Sequence, residues 1–456
     1  MMRFRWPFPQ LTPALCPLII FLPLLVAPAA ENRVVIITPH VDAIRIEFAR
    51  GFNEWHQRHF KTPAIIDWRD QGGTSEALRF VLSDFSKTPK GIGIDCFFGG
   101  GLEPFLLLSD KKLLQTYTPP PEILDAIQQN CAGVDVYDPN HTWYGAALSS
   151  FGILQNTRVQ ALLHLPLAHR WEDLADPKLF GWVGAGDPRK SGTMNVMFEA
   201  FLQYFGWDKG WLVLSEIGGN TRKFDQVSST TAKDVTLGET AYGFAIDFYG
   251  FSQVAYAGRT NLTFALGEDF TAINPDGLAI LKGAPDLVTA QRFIDFVLSA
   301  DGQKLWFLPK GSPEGPKQFS IERMSVRPDF YKRYKGVSNI EFSPFDLKTK
   351  FVYNAKFSRE RREVVAALAG ALLVDTLPEL QAAWRNIIRR HLPPEDLSDL
   401  AQMPLTEKEA LALAIGDWKK PEVRNLKKTE WQKLATEKYR KLAAKPANLA
   451  QAANSR

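Results

Sequence analysis

Three apolar runs near the start of the chain, each closed by a polar or glycine turn and followed by a helical pattern, constrain the fold more than any other feature. Val34–Ile37 is wholly apolar and ends at Thr38-Pro39-His40. From Val41 to Phe60, Ile44, Phe48, Phe52 and Trp55 share one helical face, with Arg45, Glu47, Arg50 and Glu54 off it. Ala64–Trp68 is a second strand, and Gly72-Gly73-Thr74-Ser75 opens a second helix with Ala77, Leu78, Val81, Leu82 and Phe85 inward. Gly91–Phe98 is a third strand, closed by Gly99-Gly100-Gly101. Strands alternating with helices imply parallel pairing through right-handed crossovers, so the class is α/β. In such sheets ligands gather beyond the carboxyl ends of the strands. The candidates there are Thr38, His40, Gly73, Thr74, Ser75, Gly99 and Gly100.

A second set of the same elements follows. Leu179–Gly186 reads as a strand ending in glycines, and Met197, Phe198, Phe201, Leu202 and Phe205 recur at helical spacing. Between them Asp187-Pro188-Arg189-Lys190-Ser191-Gly192-Thr193 places two hydroxyls and free amides at a helix start, a seat for an anion with Arg189 and Lys190 adding positive charge. A bare N-cap is the simpler use of Ser191. Thr142–Leu154 is a long extended stretch suited to crossing between two lobes, and Asn274–Leu281 reads as a returning strand. Thr240–Tyr249 ends in Asp247 and Tyr249, expected to face a cleft, where the acid binds an amine or hydroxyl or pairs with Arg189.

The 456 residues, 45% hydrophobic and 23% charged, exclude a chain disordered throughout and suggest more than one folding unit. Arg3 and Arg5 precede the apolar run Leu18–Val26, and Ala27-Pro28-Ala29-Ala30 follows it. That order is a secretory signal, expected over residues 1–30, so export from the cytoplasm is expected. The run is too short and too rich in proline for a spanning helix. Only Cys96 and Cys131 remain beyond it; Cys96, in an apolar run, reads as a buried free thiol, and no zinc spacing occurs. Residues 351–456 hold 19 Lys/Arg against 13 Asp/Glu and are helical in pattern over Glu363–Leu373, Leu377–His391 and Pro421–Lys445. Trp431, Leu434 and Leu442 interleave with the basic residues and mark a solvated amphipathic helix, so no nucleic-acid partner is expected.

Several segments in this order resemble a known family: Val35–His40, Asp67-Trp68-Arg69 with Gly72–Ser75, Trp171–Pro177, Asp187–Thr193, Gly206–Gly210, Ile280–Ala284, Phe293–Phe296 and Ser299–Gln303. Together they look like the extracytoplasmic solute-binding proteins of ABC transporters, in the iron(III)-type branch, over residues 33–310. The resemblance implies the two-lobed type II periplasmic-binding-protein fold, here with a helical C-terminal extension. Expected bounds are 31–145 plus 270–345 for lobe 1, 146–269 for lobe 2 and 346–456 for the basic extension. Iron-binding members use a His in the first loop, a Glu after the third strand and two adjacent Tyr in the second lobe. His40 fits the first, but Gly99-Gly100-Gly101 stands in the place of the Glu and Phe248-Tyr249 in that of the tyrosine pair. Ferric iron calls for several anionic oxygen donors, so the expected ligand is instead a small anionic solute, phosphate-bearing or carboxylate, either free or bridged by a metal, with no resident metal or cofactor.

The implied function is a monomeric receptor, without chemistry of its own, that delivers a small-molecule solute to an ABC permease in the inner membrane. Lobe 2 is expected to offer Ser191, Gly192, Thr193, Asp247 and Tyr249. The rivals are a ferric-iron-binding protein, an exported serine hydrolase using Ser191 with His40 or His141, and an envelope protein led by the basic tail. Against the hydrolase, Ser191 stands between Lys190 and Gly192 and outside any Gly-x-Ser-x-Gly elbow.

Overall fold

A computed structural model describes Met2 and residues 32–446, apart from 341 and 348–350; the signal segment expected over 1–30 lies, but for Met2, outside them. In chain order the first strands are β1 (Asn32–Ile37), β2 (Ala64–Arg69), β3 (Cys96–Phe98) and β4 (Leu114–Gln115). A two-stranded ribbon follows, β5 (Asn130–Cys131) and β6 (Val134–Asp135), then β7 (Tyr144–Ser149), β8 (Phe151–Asn156) and β9 (Val183–Gly186). The last are β10 (Thr221–Asp225), β11 (Tyr242–Ile246), β12 (Leu262–Leu266) and β13 (Asn274–Leu281).

Lobe 1 is a six-stranded sheet in the order β2-β1-β3-β13-β4, with β7 also on β13. Here β1 pairs parallel with β2 and β3, and β13 runs antiparallel to its neighbours. Alternation along β1 sends Val34 and Ile36 into one apolar cluster and Ile37 into the other, as a sheet covered on both faces requires. The third strand is shorter than its apolar run, because the carboxylate of Asp95 takes the Val35 amide at 2.7 Å just ahead of Cys96. Lobe 2 is a five-stranded sheet, β10-β9-β11-β8-β12. Two α/β sheets joined by crossing strands and followed by a helical extension are the two-lobed architecture expected.

The chain passes from lobe 1 to lobe 2 at Ser150, between β7 and β8, and returns from β12 to β13. It passes a third time into the helices Ala355–Ala369, Leu377–Arg389, Pro394–Ala401, Glu407–Ile415 and Pro421–Ala444. Those helices share one core with lobe 2: Val364, Leu368, Trp384 and Trp431 cluster with Phe201, Trp211 and Leu214. Arg361 and Glu199, both without exposed side-chain surface, form an ion pair at 3.1 Å inside it. The Pro421–Ala444 helix differs from the solvated helix expected there, since Trp431 and Leu442 are buried and only Leu434 of the three faces solvent. Cys96 and Cys131 are both buried free thiols. Among the described residues no helix is long and apolar enough to cross a membrane.

Candidate functional site

The crossing strands put an acid where the lobes meet. Asp276, third residue of β13, is buried, and its Oδ2 accepts from Arg323 Nη1 at 2.5 Å and His40 Nε2 at 2.7 Å. Its Oδ1 accepts from the Gly101 amide at 2.9 Å. Arg323 Nη2 donates to Ser149 Oγ at 2.8 Å, and the guanidinium lies over the Phe248 ring, 4.9 Å from its centroid. Burial works to raise the Asp276 pKa, but the charge of Arg323 and the hydrogen bond from His40 prevail and hold it well below the usual carboxylate range. Burial lowers the His40 pKa despite the pull of Asp276, so the imidazole is neutral near pH 7. With Asp276 ionised, Nε2 must carry the proton, which leaves Nδ1 an acceptor. Neither His40 Nδ1 nor Arg323 Nε has a hydrogen-bond partner among the described residues.

The glycine run after β3 makes this packing possible. Gly99 and Gly100 have φ of +96° and +95°; a Cβ on the first would stand 2.5 Å from the His40 ring, and on the second 2.7 Å from Thr74. Over this floor lies a cavity of 360 Å³, within the range of small-molecule sites. Lobe 1 contributes His40, Thr74, Ser75, Gly100, Glu103 and Asp276 to its wall, and lobe 2 contributes Phe151, Gly192, Thr193 and Phe248. The helices Thr74–Lys87 and Gly192–Phe205 both begin there. No side chain caps the first of them, so its leading amides are available to an acceptor. The extension supplies a third side: Tyr353, Arg359 and Arg362.

Of the residues singled out from sequence, His40, Thr74, Ser75, Gly100, Gly192 and Thr193 meet on this wall. The others support it or stand away. Gly73 is the N-cap residue of the Thr74 helix, and Gly99 lies beneath the His40 ring. Thr38 Oγ1 donates to the Phe98 carbonyl at 2.6 Å and accepts from the His40 amide. Ser191 is an N-cap, accepting from the Met194 amide at 3.2 Å and bonding the Ser228 hydroxyl, so the simpler reading of it holds. Asp247 is fully buried as the first residue of a helix, accepting from the amides of Ser150 (3.0 Å) and Phe248 (2.8 Å), and it neither faces the cavity nor pairs with Arg189. Tyr249 is half-buried against apolar neighbours, and Phe248 takes the place at the cleft expected of it. Arg189 binds Asp187 and, on the extension, Asp375, each at 2.8 Å, so its charge fastens the extension.

Not singled out from the sequence are Asp276, Arg323, Glu103, Asn274 and the extension's Tyr353, Arg359 and Arg362. A charged residue inside the apolar run Asn274–Leu281 was the available signal for Asp276, and Arg359 and Arg362, three apart on a helix, share a face. Arg323 lies in irregular chain and carried none. Among the described residues no three His, Cys, Asp or Glu side chains gather as a metal cluster.

Residues 93–321, half of the chain, match the family model of bacterial extracellular solute-binding proteins. The chain belongs to that family. The phosphoglycerate transport regulatory protein PgtC of Salmonella typhimurium is 32% identical over 266 residues, 55% of this solute-binding protein and 60% of that relative. The match therefore spans less than two thirds of the relative's length. An uncharacterized protein of Haemophilus influenzae is 26% identical over 214 residues, 46% of this chain and 60% of its own. Among solved structures, the periplasmic binding protein AfuA of Actinobacillus pleuropneumoniae, with fructose-6-phosphate bound, aligns with TM-score 0.53 and 18% identity over 85% of this chain and 97% of that one. The apo ferric ion-binding protein A of Pasteurella haemolytica aligns with TM-score 0.56 and 15% identity over 76% and 98%. At such identities these structures speak for the fold alone.

Proposed function

We propose that this solute-binding protein is a periplasmic receptor for a small phosphate-bearing or other anionic solute, held between the lobes and handed to an ABC permease in the inner membrane. One observation carries the reading: the starts of the Thr74 and Gly192 helices and the buried Arg323 share a single cavity. Helix N-termini favour oxyanions, and Arg323, whose terminal nitrogens are held by Asp276 and Ser149, sets a guanidinium beside them. Thr74, Ser75 and Thr193 add hydroxyls, and His40 Nδ1 is an acceptor for a ligand hydroxyl. The Salmonella relative named for phosphoglycerate transport points the same way. A hydrolase gains no support, because the Ser191 hydroxyl engages Ser228 and the Met194 amide while His40 engages Asp276. The family is one of binding proteins.

The test is a thermal-shift and calorimetric screen of the purified chain with inorganic phosphate, glycerol 3-phosphate, 3-phosphoglycerate, fructose 6-phosphate and ferric citrate. Saturable binding of phosphorylated compounds is expected, worth about 2.7 kcal/mol of added stability at a hundredfold excess over Kd. A response to ferric citrate alone would overturn the reading in favour of iron. The regulatory name of the Salmonella relative favours a second output, a ligand-dependent signal to a membrane partner. Uptake of labelled solute that requires this protein separates import from signalling.

A further inference from the structure

The extension reaches the cleft with more than its backbone. Tyr353, Arg359 and Arg362 all face the same cavity as Thr74, Gly192 and Arg323. Tyr353 is 7% exposed, and its hydroxyl makes no hydrogen bond of proper geometry, with Ser358 the polar group beside it. Arg359 Nη2 holds Asp110 at 2.9 Å, while its Nη1 is buried without an acceptor. Arg362 pairs through Nη1 with Glu103, the lobe 1 carboxylate on the cavity wall. Arg359 and Arg362 ride on the Ala355–Ala369 helix, whose apolar side is part of the lobe 2 core, and Tyr353, just ahead of that helix, is buried in the same core, so all three approach lobe 1 as lobe 2 does.

We propose that the extension is a third wall of the ligand site. Tyr353, Arg359 and Arg362 take the second anionic end of a two-ended solute whose phosphate lies against the Thr74 and Gly192 helix starts. The proposal rests on the anion-receptor reading above and adds to it the class of ligand, an anion at each end of a short carbon skeleton. Arg362 stays paired with Glu103 and turns its charge toward the solute carboxylate, and the free Nη1 of Arg359 and the Tyr353 hydroxyl supply donors already desolvated and in position. Pre-placed donors of this kind favour one ligand geometry, since little further order is lost on binding.

The test compares 3-phosphoglycerate with glycerol 3-phosphate, which share a skeleton and a phosphate and differ in the carboxylate, by calorimetry on the full chain. The wild-type protein is expected to bind the first at least tenfold more tightly. Arg359→Met with Arg362→Met is expected to cut that ratio at least tenfold, and Tyr353→Phe, which removes one hydroxyl and leaves the packing, at least threefold. Equal affinity of the wild type for both compounds, or a ratio kept by the folded variants, would overturn the third wall while leaving the receptor standing. Binding of neither compound by the wild type would also overturn the two-ended ligand, and only failure of every anion in the screen above would sink the receptor reading itself. Should the double variant fail to fold, Tyr353→Phe decides alone.

Discussion

The C-terminal extension meets the two lobes in different ways. Against lobe 2 it is welded by apolar side chains, with Trp384, Trp431, Leu368 and Val364 in one cluster with Phe201, Trp211 and Leu214. Toward lobe 1 its polar links are ionic, Arg359 to Asp110 and Arg362 to Glu103, with the Ser358 hydroxyl also near Glu103. Apolar burial is non-directional and scales with area, whereas partly exposed ion pairs are worth little and can be remade. Extension and lobe 2 thus form one mechanical unit, and its contact with lobe 1 is the one that can open. Among the buried acids Asp276 at the lobe 1 floor is held ionised, while burial pushes Asp247 and Glu199 on the lobe 2 side up to about 7 and the half-buried Asp295 in lobe 1 up to about 6.

Trp384→Ala tests the weld most severely. The ring is buried, packs on Gly219 and donates to Asn220 Oδ1 at 2.7 Å, so its loss costs about 3–5 kcal/mol in urea titrations. Lobe 2 and the extension should unfold in one transition, and separate transitions would break the comparison. Asp276→Asn should cost about 3 kcal/mol by leaving Arg323 buried without its counter-charge, and, with that positive charge now uncompensated beside the cavity, should tighten anion binding in calorimetry; unchanged affinity would show that the floor is not part of the site.

A pH series separates the two sides next. Asp247 has a folded pKa of about 7, above its unfolded value, so the native state holds the proton more tightly than the unfolded chain does. Its effect is fully favourable below the unfolded pKa and is lost as pH rises through about 7. Each acid held near 7 lowers the unfolding free energy by roughly 1 kcal/mol between pH 6 and pH 8, and since burial pushes Glu199 and Glu216 into the same window the total fall should be about 2 kcal/mol or more. A rise over that window would reverse the assignment for the lobe 2 side. The smallest effect belongs to the ionic contact: Asp110→Asn should change stability by less than about 1 kcal/mol, and less still in 0.5 M salt, as measured by urea midpoint.

Much of the cleft could be read from local pattern. Thr74, Ser75, Gly192 and Thr193 announce themselves as small polar residues at the start of apolar helical periods, and such starts fall at the cleft in this topology. Asp247 and Tyr249 misled because an acid and a phenol after an apolar strand look alike whether they point to solvent or into the next helix. The main-chain amides of Ser150 and Phe248 captured the Asp247 carboxylate instead. Arg189 misled for a related reason: its acceptor Asp375 stands 186 residues away, beyond the reach of any spacing rule.

The sequence by itself determined the order of strands and helices, the two α/β lobes and the glycine turns, because hydrophobic period and backbone freedom act over a few neighbouring residues. Tertiary structure alone decided which charges meet. Asp276 finds His40 across 236 positions and Arg323 across 47, and Arg362 finds Glu103 across 259. Such pairs exist only once apolar packing has fixed where each element lies, and it is that packing which brings the extension's arginines to the mouth of the cleft.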